Sequence, residues 1–172
     1  LENGSTVTDL HYQAHRIYKG KLKMAGLPAT YVEEDDEAET LELILFDAVI
    51  GLKVRLFYTV FKDSNVITRS VRFENHGNEH LNILRALSAN VDFRDAEFEL
   101  LSLYGAHTNE RNMNRRKIVP GRQVIESRRG ASGPHQDPFF ALIRKDTNED
   151  DGEVFAFHFV YSGNFLAQVE VD

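Results

Sequence analysis

The strongest constraint on the fold is a run of apolar and polar residues that alternate with a period of two. It lies in the segment LKVRLFYTVF, residues 52–61. One face carries Leu52, Val54, Leu56, Tyr58 and Val60, and the other carries Lys53, Arg55, Phe57, Thr59 and Phe61. Successive side chains of a β-strand point to opposite faces, so the pattern predicts a half-buried strand. The segment ITRSVRFE at 67–74 repeats it, and the four residues KDSN at 62–65 predict a hairpin connection.

Further strand-like segments occur along the whole chain and are separated by turns. They are TVTDLHYQAHRIYKG, TLELILFD, LNILRALSANVDF, EFELLSLY, RQVIES, FFALIR, EVFAFHFVY and NFLAQVEV. No window of about twelve residues carries the apolar stripe of an amphipathic helix. The chain is therefore predicted to be all-β, a large antiparallel β-sandwich with little helix, and a single domain over residues 1–172.

Composition narrows the class of protein. The chain has no cysteine, which excludes disulfides, thiolate metal ligands and a cysteine nucleophile, and fits a cytoplasmic protein. No apolar run approaches the ~20 residues of a membrane span. The start, LENGSTVTDL, lacks an initiator methionine and a secretory signal, so we expect a piece of a longer protein.

Charge is distributed unevenly along the chain. Residues 105–130 carry seven arginines and lysines against two glutamates, a local charge of +5, so the remainder carries −12 of the total of −7. This asymmetry favours either a protein–protein contact or a solvated arginine-rich hairpin. Nucleic acid is not the expected partner, because no aromatic residues are interleaved with the arginines and the whole chain is acidic.

The sequence predicts no metal, cofactor or catalytic site. His11 and His15 on an extended strand would lie ~13 Å apart, too far to share a tetrahedral ion. His76 and His80 flank a turn but have no evident third ligand, and the acidic run at 33–39 lacks the spacing of a calcium loop. There is no nucleophile elbow, phosphate loop or dinucleotide fingerprint.

Two polar stretches remain as candidates for a site. GAHTNER at 105–111 places His107 between a flexible glycine and the charged pair Glu110 and Arg111. ESRRGASGPHQDPFF at 126–140 predicts an ordered, irregular loop, because glycines and prolines punctuate it. Such loops occur at binding sites and interfaces, and also simply in packing.

Several longer motifs together identify a family. They are GLPATYV at 26–32, EAETLEL at 37–43, VITRSVRFEN at 66–75, ESRRGAS at 126–132 and VYSGNF at 160–165. In this order they resemble the N-terminal β-supersandwich, a galactose-mutarotase-like fold, of bacterial α-galactosidases of glycoside hydrolase family 36. The resemblance runs from Leu1 to Asp172.

The resemblance implies a role within a larger enzyme. Family members are retaining enzymes that remove terminal α-1,6-linked galactose from melibiose, raffinose and related sugars. Their two catalytic aspartates lie on a central (β/α)8 barrel, which this chain lacks, so we expect no hydrolysis by this chain alone. The resemblance implies that the sandwich supports the barrel, takes part in oligomer contacts and lends loop residues to the sugar pocket.

The same resemblance assigns a candidate role to His107. GAHTNER is similar to a family loop that usually reads G-A-W-x-R-E-R, with a substrate-contacting tryptophan where this chain has His107. An imidazole covers less of a sugar face than an indole but offers a hydrogen bond. His107 is therefore the predicted substrate-binding residue. A free-standing carbohydrate-binding module and a purely structural assembly domain remain the alternatives.

Overall fold

The computed structural model describes residues 6–172 and shows an all-β chain, as predicted. Every strand pairing between its named strands is antiparallel. The helix within this range is a single 3-10 turn, Asp35–Glu37. The strands are β1 His11–Lys19, β2 Ala38–Asp47, β3 Leu52–Phe61, β4 Ile67–Asn75, β5 Glu99–Ala106, β6 Asn109–Lys117, β7 Gly121–Ser127, β8 Gln136–Ile143, β9 Val154–His158 and β10 Phe165–Val171.

The chain divides into two compact units. The first comprises the described residues up to Met24 together with Thr30–Val91. Its sheet has the order β1-β2-β3-β4, a simple antiparallel meander. The predicted hairpin at 62–65 joins β3 to β4, where Phe61 N–H donates to Val66 O at 3.2 Å. Strands that are adjacent in sequence are thus adjacent in this sheet. The connections from β2 to β3 and from β3 to β4 are short, whereas the connection from β1 to β2 spans residues 20–37.

Both faces of the first unit's sheet contain buried residues. Val54 lies on the predicted apolar face, whereas Phe57 and Thr59 lie on the opposite one, and all three are buried. The opposite face is covered partly by its own ion pairs, because the carboxylate of Glu42 is held between two arginines that lie along the sheet. Long charged side chains cover the sheet with their stems and keep their heads in polar contacts.

The second unit comprises Ala25–Ala29 and Asp92–Asp172. It contains a four-stranded sheet, β6-β5-β8-β9, and a two-stranded sheet, β10-β7. Side chains of both sheets meet in one core, which makes this unit a sandwich. The buried members of that core are Phe98, Leu100, Ile118, Ile125, Leu142 and Phe165.

One strand prediction is wrong, and one strand of the structure was not predicted. The segment 81–93 forms no strand, although it is rich in apolar residues, and Ile83, Leu84 and Leu87 are exposed within the described chain. An apolar segment becomes a strand only where a neighbouring edge pairs with its backbone. Conversely, β6 has the sequence NERNMNRRK and no apolar alternation, yet it pairs with β5 at the sheet edge, where polar side chains stay solvated.

Candidate functional site

His107 lies at the tip of the hairpin between β5 and β6. Ala106 and Asn109 are the last paired residues, so His107 and Thr108 form the turn. The His107 side chain is exposed. Thr108 has a φ of 66°, a left-handed conformation that β-branched residues rarely adopt. The imidazole of His107 is therefore exposed at the hairpin tip, and the left-handed conformation of Thr108 restricts the backbone directly after it.

Gly105 allows the two arms of this hairpin to approach closely. The register of β5 against β6 shifts between Tyr104 and Ala106. A Cβ atom added to Gly105 would lie 2.4 Å from the carbonyl oxygen of Asn109 and 2.8 Å from Cα of Glu110. Only glycine fits such a contact without moving the backbone. The close approach of the two strands thus requires glycine at position 105, and the sequence motif alone did not reveal this requirement.

The structure brings the two polar stretches of the sequence together. A cavity of about 180 Å³ lies between the β5–β6 hairpin and the loop that leads into β8. Its lining is polar, with carboxylates, a guanidinium and a hydroxyl group, which suits a ligand rich in hydrogen-bonding groups. The lining residues are Glu110, Arg111, Ser132, Gly133, Pro134, Asp137 and Pro138. His107 is not among them, so its assignment as a substrate-binding residue stays a prediction.

Arg128, Arg129 and His135 line a second cavity, of about 290 Å³, on the same loop. Arg129 Nη1 lies 3.1 Å from Nε2 and 3.3 Å from Nδ1 of His135, and a guanidinium can only donate in such a contact. Arg128 Nη2 pairs with Glu126 Oε2 at 3.0 Å. Arg128 and Arg129 therefore both contact residues within the same stretch 126–140, and these contacts are exposed.

The irregular loop is shorter than the predicted stretch 126–140, because β7 extends to Ser127 and β8 already begins at Gln136. Ser127 Oγ donates to the carbonyl oxygen of Ala131 at 2.8 Å. Two further bonds join the loop to the VYSGNF stretch. Ser132 N–H donates to Ser162 O at 2.9 Å, and Gly130 N–H donates to Asn164 Oδ1 at 2.7 Å. Two motifs about thirty residues apart in the sequence therefore act as one structural piece.

The basic segment is only partly available for a partner. Arg115 pairs with Glu99 and also donates to the backbone oxygens of Thr147 and Lys145, at 3.1 and 2.7 Å. Arg122 lies 3.7 Å from the carboxylate of Glu170. Within residues 6–172, the cations of this segment whose side chains have neither ion pair nor hydrogen bond are Arg111, Arg116 and Lys117.

The buried carboxylate of Glu42 belongs to the structural framework of the first unit. Glu42 is 1% exposed and accepts hydrogen bonds from Arg55 Nη1 at 2.7 Å and from Arg16 Nη2 at 2.5 Å. Burial raises the pKa of the Glu42 carboxyl, but the hydrogen bonds from Arg55 and Arg16 outweigh it, and the pKa lies below its ordinary value. Arg55 Nε continues the chain of charges to Glu74 Oε1 at 2.9 Å. A carboxylate held ionised in this way is fixed rather than poised for proton transfer.

The described residues contain no cluster of three metal-ligating side chains and no membrane-spanning helix. In residues 6–172, no three histidine, aspartate or glutamate side chains lie close enough to hold an ion. His11 contacts Asp9 at 3.0 Å, whereas His15 contacts the hydroxyl group of Tyr12 at 2.6 Å, so the two histidines have separate partners. This part of the chain also has no helix long and apolar enough to cross a membrane.

Comparison with known proteins gives consistent matches over the whole chain. The family model described as the glycosyl hydrolase family 36 N-terminal domain matches residues 1–172. The α-galactosidase AgaA of Geobacillus stearothermophilus is 61% identical over 172 residues, which are 100% of this chain and 24% of that protein. α-Galactosidase 1 of Pediococcus pentosaceus is 42% identical over 170 residues, 99% of this chain and 23% of that protein. The chain thus spans about a quarter of the length of these relatives.

Solved structures agree with the sequence matches. A crystal structure of Geobacillus stearothermophilus AgaA superposes with a TM-score of 0.98 at 61% identity and covers 100% of this chain and 24% of that one. A crystal structure of an AgaA variant in complex with raffinose gives the same TM-score, identity and coverage. So does that of another AgaA variant in complex with stachyose.

Proposed function

This chain belongs to the glycosyl hydrolase family 36 N-terminal domain family, and from that premise we propose that the full-length protein is an α-galactosidase. One observation carries the proposal. The whole chain matches about a quarter of the length of relatives that are named α-galactosidases. The same family model spans both compact units, which supports residues 1–172 acting as a single domain.

The proposed substrates are sugars with a terminal α-1,6-linked galactose, such as melibiose and raffinose. The raffinose and stachyose complexes of the Geobacillus relative support this choice. The reaction would retain the anomeric configuration through a covalent galactosyl-enzyme, which needs a nucleophilic carboxylate and a second acid about 5 Å away. Both groups would come from the catalytic part of the protein and neither from this chain, and we expect the reaction to need no cofactor.

Within that enzyme, this domain would support the catalytic barrel and line part of the sugar pocket. The exposed hairpin tip supports the second role, because His107 protrudes on a backbone that Gly105 and Thr108 constrain. An exposed imidazole can donate or accept a hydrogen bond to a sugar hydroxyl group. Contacts with neighbouring subunits are the third role, and the unpaired cations Arg116 and Lys117 on the edge strand β6 favour an acidic surface as the partner.

The test compares the full-length protein with the 172-residue chain on a nitrophenyl α-galactoside. We expect turnover by the full-length protein and none by the chain alone. Absence of turnover by the full-length protein would overturn the proposed activity, and turnover by the isolated chain at the full-length rate would overturn the non-catalytic role. Calorimetry of the isolated chain with raffinose separates a support domain from a free-standing sugar-binding module, which would bind at millimolar concentration or better.

A further inference from the structure

The cavity of about 290 Å³ between the end of β7 and the start of β8 contains a cluster of cationic and hydrogen-bond-donating groups. They are the guanidinium groups of Arg128 and Arg129, the imidazole of His135 and the side-chain amide of Gln136. One carboxylate, that of Glu126, also lines the cavity. Because all five residues lie within the stretch 126–136, a single loop of the second unit assembles the cluster.

The two arginines of this cavity differ in whether a carboxylate neutralises them. Arg128 Nε and Nη2 each lie 3.0 Å from Glu126 Oε2, so these two charges cancel. Among the described residues, the Arg129 guanidinium instead contacts His135, with Nη1 at 3.1 and 3.3 Å from the ring nitrogens. An imidazole carries no negative charge, whether it is neutral or protonated. The lining of the cavity therefore keeps an uncompensated positive charge on Arg129.

Most of the donor capacity of Arg129 is free for a ligand. A guanidinium presents five N–H donors in a planar fork, and the contact with His135 involves Nη1 alone. The imidazole supplies one N–H donor when it is neutral and two when it is protonated. An acceptor that lies between these two side chains would satisfy both, which neither can do fully for the other.

Hydrogen bonds within the second unit tie down the backbone that carries these groups. Ser127 Oγ donates to Ala131 O at 2.8 Å across the start of the loop. Gly130 has a φ of 82°, and its N–H donates to Asn164 Oδ1 at 2.7 Å. A loop whose backbone is bonded before a ligand arrives loses less conformational freedom on binding.

This combination of charge, donors and shape matches a phosphate group. Guanidinium groups bind phosphate through short, charge-assisted hydrogen bonds, often two at a time. A neutral ligand would cover the charge of Arg129 without compensating it, which costs free energy, and a metal cation would be repelled. The cavity of about 290 Å³ is concave and of the size of a small-molecule site, whereas a protein partner needs about 800 Å² of surface.

We propose that Arg128, Arg129 and His135 form a binding site for a phosphate group, carried either by inorganic phosphate or by a phosphorylated sugar. Phosphate oxygens accept from the guanidinium of Arg129 and from a ring N–H of His135. Arg128 adds positive charge beside them and keeps its contact with Glu126. The site goes beyond the proposed hydrolysis and does not depend on it, because it uses no group of the catalytic part of the protein.

The test is calorimetry of the full-length protein with inorganic phosphate and with glucose 6-phosphate, in a phosphate-free buffer at neutral pH. We expect a dissociation constant of about 1 mM for the better ligand, as a few charged hydrogen bonds in an exposed site supply. Arg129→Gln should weaken binding about tenfold or more. Arg122→Gln is the matched control, because Arg122 belongs to the same basic segment but lies on β7 beside Glu170, outside the cavity.

Each outcome decides for or against the site. Wild-type protein that binds neither anion at about 10 mM overturns the proposal, and so does neutral glucose that binds as tightly as glucose 6-phosphate. Equal weakening by Arg129→Gln and Arg122→Gln also overturns it, because the attraction would then be a diffuse property of the basic segment. If Arg129→Gln changes the circular dichroism spectrum, His135→Gln replaces it and should weaken binding about threefold or more.

The two phosphate sources are distinguished by their relative affinities. Glucose 6-phosphate that binds about tenfold more tightly than inorganic phosphate supports a phosphorylated sugar as the ligand, and equal affinities support the free ion. Cleavage of a nitrophenyl α-galactoside by the same preparation tests the proposed activity separately. Loss of that activity with intact phosphate binding would overturn the proposed function and leave this site in place.

Discussion

Replacing Glu42 with glutamine tests how much the buried ion pairs hold the first unit together. The carboxylate accepts three hydrogen bonds, one from Arg55 to Oε1 and two from Arg16 to Oε2. Glutamine has nearly the same shape, but its amide group has one acceptor oxygen and a donor nitrogen. In either orientation the NH₂ group faces a guanidinium, so at least one arginine loses its partner and meets another donor.

The expected loss of stability is about 3 kcal/mol. The Arg55 side chain is 24% exposed, and its charged hydrogen bond is worth about 2 kcal/mol. The Arg16 side chain is 62% exposed, so that pair adds no more than about 1 kcal/mol. Arg55 keeps its contact with Glu74, which holds the total near the lower end of the ~3–5 kcal/mol for breaking a buried pair.

Urea denaturation followed by tyrosine fluorescence and circular dichroism measures this difference. Glu39→Gln is the matched control, because Glu39 lies on the same strand but is exposed, and we expect a change within about 0.5 kcal/mol.

The folded-state pKa of Glu42 lies below its unfolded value. The contribution of Glu42 to the free energy of unfolding is therefore complete above about pH 4.3 and is lost as the pH falls through the folded-state pKa.

The difference between wild type and Glu42→Gln should therefore be constant from about pH 8 to pH 5 and shrink below about pH 4.3. A Glu42→Gln variant that behaves like Glu39→Gln at neutral pH would show that these ion pairs do not stabilise the first unit. A difference that grows on acidification would show the same, because a protonated carboxyl cannot accept more hydrogen bonds from the arginines than a carboxylate does.

Two further predictions concern the β5–β6 hairpin. Gly105→Ala should destabilise the chain by about 2 kcal/mol in urea denaturation, because the methyl group would overlap Asn109 O and Glu110 Cα, whereas Gly133→Ala, with open space around it, should be neutral; equal effects would contradict the close-approach argument. His107→Trp in the full-length protein should lower KM for raffinose about three- to tenfold, because an indole covers more of a sugar face. Unchanged KM and unchanged substrate preference would remove His107 from the pocket wall.

Much of the strand content could be predicted from local pattern. In β3 and β4 the alternation identifies the strands and their hairpin, because side-chain direction along a strand depends only on the backbone of that strand. Local pattern does not predict a strand where its formation depends on pairing with a neighbouring strand. β6 is a strand because the edge of β5 is free to bond to it, and the apolar segment 81–93 is none because no edge in the described chain pairs with it.

In the candidate site, too, some features could be predicted from the sequence and others depend on tertiary packing. The sequence alone marks GAHTNER and the loop before β8 as polar, irregular stretches, and its motifs identify the family. It carries no information about distances between segments far apart along the chain. Sheet order β6-β5-β8-β9 puts the hairpin next to the start of β8, and backbone hydrogen bonds bring the 159–164 segment beside them. Only this packing selects Glu110 and Arg111 as cavity residues and leaves His107 outside the cavity, because contacts between separate strands arise from pairing and burial of the whole chain.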